Sequence, residues 1–111
     1  MSYRYQVCRH AQGIKKRIPV EDIEYAPLGT SAQVMAEISA VFPNVRWTQG
    51  TDDLSNVWFG DGWPKFQISP ESNGDITTVL MGDAKPADLA AIARGMKVFV
   101  IDAQQFVLVD V

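Results

Sequence analysis

Asn56-Val57-Trp58-Phe59-Gly60-Asp61-Gly62-Trp63-Pro64-Lys65-Phe66-Gln67-Ile68-Ser69, leading through Ser72-Asn73-Gly74-Asp75 into Ile76-Thr77-Thr78-Val79-Leu80-Met81, is the stretch that decides the fold. It reads as two consecutive hairpins in the middle of an antiparallel sheet. Asn73-Gly74 tolerates the positive φ angles of a type I′ turn, the strongest short-range hairpin signal. Gly60-Asp61-Gly62 is a looser turn of the same logic.

Working outward, Tyr3, Tyr5 and Val7 alternate with Arg4, Gln6 and Cys8, the period of a half-buried strand over residues 2–8. Arg9 to Gly29 shows no sustained period, so it is either a functional loop or hides a short strand or turn. Thr30-Ser31-Ala32-Gln33 matches a capping box, and Val34, Met35, Ile38, Val41 and Phe42 follow at helical spacing before Pro43, which predicts a helix over 31–42. Val45 to Thr48 reads as a short strand. Pro86 opens a second helix over 86–94, with Gly95 as its stop. Lys97 to Ile101 and Phe106 to Asp110 are two apolar strands joined by Asp102-Ala103-Gln104-Gln105. The order β-α-β-β-β-β-α-β-β predicts a two-layer α+β fold, a mainly antiparallel β-sheet with two helices on one face, in a single domain over 1–111.

At 111 residues, 47% apolar and 21% charged, the chain has the composition of one folded globule, which excludes disorder. No apolar run approaches the roughly 20 residues of a membrane span, and Met1-Ser2-Tyr3-Arg4-Tyr5 lacks a signal-peptide stretch, so a cytoplasmic location is expected. Residues 1–46 carry six basic and four acidic side chains (+2) and residues 47–111 four basic and nine acidic (−5), which sum to −3. An acidic surface disfavours nucleic acid and suits a basic protein partner.

Chemistry-bearing residues are sparse. One cysteine, Cys8, and one histidine, His10, exclude a Cys/His zinc site, and Cys8 reads as a small buried apolar residue in preference to a thiol activated by His10. No cofactor motif is present; Gly60-Asp61-Gly62 lacks the strand-to-helix context of a dinucleotide site. Arg9, His10, Lys15, Lys16 and Arg17 form a basic cluster read as a solvated loop, with contact to an anion as the functional alternative. Asp52, Asp53 and Asp61 could gather at one end of the sheet, where they would serve a cation or general acid–base chemistry, although solvated loop carboxylates are the simpler reading. Trp47, Trp58 and Trp63 fall within seventeen residues, and in a strand Trp58 and Phe59 point to opposite faces, so one of them faces away from the helices. Core packing is one reading of the indoles. The other is an exposed aromatic platform rimmed by the three aspartates, the composition of a protein interface.

Taken together, Phe42-Pro43-Asn44-Val45-Arg46-Trp47 after an amphipathic helix, the hairpin Trp58-Phe59-Gly60-Asp61-Gly62-Trp63, the second helix and the terminal Val98-Phe99-Val100-Ile101-Asp102-Ala103-Gln104 hairpin resemble the small cytosolic immunity proteins of bacterial polymorphic-toxin and secreted-effector systems. That resemblance implies a non-enzymatic module, without catalytic residues, metal or cofactor, that binds and blocks a toxin. The residues expected to meet such a protein partner are Trp47, Asp52, Asp53, Trp58, Asp61 and Trp63, and an edge strand is a candidate for pairing with a second copy. The alternatives are a small-ligand-binding or housekeeping domain, with a groove between the sheet and the Arg9–Gly29 segment, and an enzyme using the three aspartates.

Overall fold

The computed structural model describes residues 4–10, 25–105 and 107–109. Along the chain run β1 (Arg4–His10), β2 (Tyr25–Ala26), α1 (Ser31–Val41), β3 (Arg46–Gln49), β4 (Trp58–Asp61), β5 (Lys65–Ile68), β6 (Thr78–Gly82), α2 (Pro86–Met96), β7 (Phe99–Asp102) and β8 (Val107–Leu108). The fold is α+β: a sheet ordered β3-β4-β5-β6-β1-β7-β8, antiparallel at every pairing, with two helices. The expected order holds, with β2 added as the short strand hidden in the Arg9–Gly29 segment. It pairs with the end of β1, and Gly29 then bridges Ile76. Residues 11–24 of that segment, Lys15 to Arg17 among them, lie outside the described residues.

The first strand of the chain is central. Tyr5 stands opposite Met81 on β6 and Asp102 on β7, so β1 is hydrogen-bonded on both sides. Alternation along the strands sends Val7, Phe66, Ile68, Val79, Met81 and Val100 to one face, where they bury against Val34 and Ile38 of α1 and Leu89, Ile92 and Met96 of α2. One apolar cluster thus joins both helices to the same side of the sheet. A smaller cluster, Cys8, Phe99 and Ile101 with Leu108 against it, occupies part of the opposite face.

The helix ends follow from local chemistry. At the start of α1 the Gln33 amide N–H donates to Thr30 Oγ1 (3.3 Å), and the Thr30 N–H donates to Gln33 Oε1 (2.9 Å), the predicted capping box. Gly95 does not stop α2: the helix runs to Met96 and closes on Lys97, in the left-handed region at φ 55. A Cβ on Gly95 would lie 2.5 Å from Val41 Cγ2, so this glycine lets α2 approach α1. The Arg9 guanidinium, from β1, donates to the Met96 carbonyl (2.9 Å) at the negative end of the α2 dipole.

Two predicted turns take different forms. Neither Ser72 nor Asn73 has a positive φ; the chain turns with Gly74 N–H donating to the Glu71 carbonyl (2.9 Å) and Gly74 alone at φ +90, a type I turn closed by a left-handed glycine in place of type I′. Gly60 and Asp61 remain in β4, and the reversal falls at Gly62-Trp63-Pro64. Gly60 is required by packing: its Cβ would meet Trp47 Cζ3 at 2.9 Å and Phe66 Cβ at 3.1 Å.

Candidate functional site

With both helices on one face, the described residues leave the β3 edge, the β8 edge and the face opposite the helices for recognition. β3 is the outermost strand, and Arg46, Thr48 and Gln49 on it are exposed. An edge strand of this kind presents main-chain donors and acceptors along its outer side.

Geometry separates the three tryptophans. Trp47 pairs across from Gly60 and Trp58 across from Ile68, which places both indoles on the helix side. Each is half-buried against the main core. The Trp47 Nε1–H donates to Ser39 Oγ of α1 (2.9 Å), and its ring centroid lies 6.1 Å from that of Phe66. Trp63, in the β4–β5 turn, is 80% exposed. The expected platform of three indoles is therefore not assembled, because strand alternation turns two of them inward. Trp63 overhangs a notch of about 120 Å³ with Pro64, against Phe42, Pro43 and Val45 where α1 passes into β3. The Lys65 ammonium sits 5.7 Å from its ring centroid, within cation–π range.

The three carboxylates do not gather either. Asp61 pairs opposite Arg46 at one end of the β3–β4 hairpin, whereas Asp52 and Asp53 form a single 3-10 turn past Gln49 at the other. Three residue steps of strand, about 10 Å, lie between the two ends. All three are exposed. They are spread along the β3–β4 hairpin and form no common site for a cation or an acid–base pair.

Of the adjacent pair Trp58 and Phe59, Phe59 faces away from the helices. It stands in one cross-strand row with Gln67 and Leu80, all half-buried, on the floor of an open groove of about 490 Å³. Arg4, Asp61, Lys65 and Asp83 rim it, and Lys65 Nζ lies 3.8 Å from Asp83 Oδ2.

Compared with family models, curated proteins and solved structures, the chain matches none. Among the described residues no group of three or more His, Cys, Asp or Glu side chains is placed to hold a metal ion, and no helix is long and apolar enough to cross a membrane. Cys8 is fully buried, and burial pushes its thiol up to about 12, so the nucleophilic thiolate is suppressed at neutral pH. The His10 side chain lies outside the described residues. Sequence reading passed over Arg4, Phe59, Lys65 and Leu80 as site residues. The available signal was register: once the two hairpins are aligned, Phe59, Gln67 and Leu80 fall on one row of the face opposite the helices.

Proposed function

We propose that the protein is a non-enzymatic protein-binding module that occludes a basic partner in the manner of a toxin-blocking immunity protein, using the β3 edge. The observation that carries this reading is Trp63, a large amphipathic side chain left 80% exposed in the β4–β5 turn beside Val45, where the chain enters the outermost strand β3. Exposed tryptophan at a surface is an anchor in waiting, since aromatic residues that desolvate on association supply most of the energy of an interface. From that corner the edge runs past Asp61 and Arg46 to Asp52 and Asp53, so a partner laid along it meets an aromatic anchor, unshared main-chain groups and then two carboxylates. Strand addition at such an edge supplies main-chain hydrogen bonds, and the acidic end favours a basic contact surface.

The test is co-elution. The purified chain is mixed with the products of the genes flanking its own and resolved by size-exclusion chromatography, and the same pairs are co-expressed to score growth. A complex with one neighbour, and protection from that neighbour's toxicity, are expected. Separate elution from both neighbours would remove the reading.

A further inference from the structure

The groove on the face opposite the helices runs from Thr48 on β3 across β4, β5 and β6 to Arg4 on β1 and stands on observations of its own. Cross-strand register sets Arg46 opposite Asp61 and, beside the floor, forms a second row of Lys65, Gly82 and Arg4 on β5, β6 and β1. Within that row Gly82 supplies no side chain, and the strands on either side of it carry Lys65 and Arg4, whose Cα atoms are separated by two strand spacings, about 10 Å. Two long cationic side chains can close on a single anion above the Gly82 backbone from that separation. Phe59 and Leu80, with the Gln67 amide between them, extend from this position as a largely apolar floor. Arg4 and Lys65 against Asp61 and Asp83 leave the groove's rim neutral on a chain of net charge −3. A volume near 490 Å³ is that of a small-molecule cleft.

We propose that this groove binds a small amphipathic anion: a single carboxylate or sulfonate held over Gly82 between Arg4 and Lys65, on an aromatic or alkyl body lying across Leu80 and Phe59. Arg4 supplies the planar fork suited to such a group, and Lys65 a point charge that leaves Asp83 to engage it. Asp83 competes with the ligand for Lys65. This sets the sign of one variant against the others.

The experiment uses the full chain and the anionic probe 8-anilinonaphthalene-1-sulfonate, with its uncharged counterpart N-phenyl-1-naphthylamine as the control. One saturable site is expected for the sulfonate, with the neutral compound at least tenfold weaker. Arg4→Gln and Lys65→Gln, both at exposed positions, should each weaken sulfonate binding fivefold or more. Asp83→Asn, which releases Lys65 and tolerates the left-handed backbone at φ 54, should tighten it about twofold to fivefold. Near-ultraviolet circular dichroism confirms that each variant is folded, and amide shifts on titration should centre on Phe59, Gln67, Leu80 and Gly82. Equal affinity for charged and neutral probes, indifference to all three substitutions, or shifts confined to the helices would each overturn the proposal.

Discussion

At the residue scale, several side chains are explained by a single neighbour. Gly60 is glycine because the Trp47 indole and Phe66 occupy the space above it. Gly60→Ala is expected to cost about 1–3 kcal/mol, the usual range for overpacking, read as a shift in the urea midpoint without a change in slope. Cys8 illustrates the opposite case, a reactive group made inert by its surroundings. In the native protein its modification by a disulfide reagent at pH 8 should be orders of magnitude slower than in urea. Because the folded thiol is raised from 9.0 to about 12, the native state holds a proton there that the unfolded state loses. Stability from this group is complete below pH 9 and is lost as pH rises from 9 toward 12, at no more than roughly 1.4 kcal/mol per pH unit. Tyr25, raised by burial and then by the nearby Cys8, acts in the same direction. Cys8→Ala should flatten the alkaline limb of a stability–pH profile; an unchanged limb would mean that another group governs it.

At the element scale, the ends and contacts of the helices were partly legible. Thr30 and Gln33 announced the start of α1 because a cap is a local interaction three residues long. Thr30→Ala should therefore lower stability by about 1 kcal/mol in chemical denaturation. Gly95 was misread as a stop, since a glycine near a helix end has two explanations and only the tertiary one applies: Val41 of α1 fills the position its Cβ would take. Alanine at 95 gains about 1 kcal/mol of helix propensity but crowds a stiff β-branched neighbour, and a net loss of about 1 kcal/mol is expected. Adding Val41→Ala should make the two changes non-additive, with the double variant more stable than the sum of the single effects predicts. Asn73-Gly74 marks the turn at the right place but not its type, because only Gly74 takes the left-handed backbone and Asn73 does not.

At the scale of the whole molecule, alternation and helix period conveyed the α+β class and the two-layer arrangement, and turn residues conveyed the hairpin pairings, while the placement of β1 between β6 and β7 was not legible. Arg4 pairs with Gly82 and Tyr5 with Asp102, partners that no local pattern connects. The same limit governed the site. Trp47, Trp58 and Trp63 are close in sequence, and that proximity suggested a platform; register turned two inward and left Trp63 exposed in the β4–β5 turn beside the entry to β3. Asp52 and Asp53 were separated from Asp61 by the length of one hairpin for the same reason. Among the described residues the helices cover one side of the sheet and β3 forms an edge, beside which recognition of a protein through Trp63 is proposed. The decisive measurement is calorimetric titration of the neighbouring-gene partner into wild-type protein and Trp63→Ala, both with native circular dichroism. A buried aromatic anchor predicts a loss of about 2 kcal/mol or more, roughly thirtyfold in Kd; a Kd unchanged by the substitution would contradict recognition at this corner.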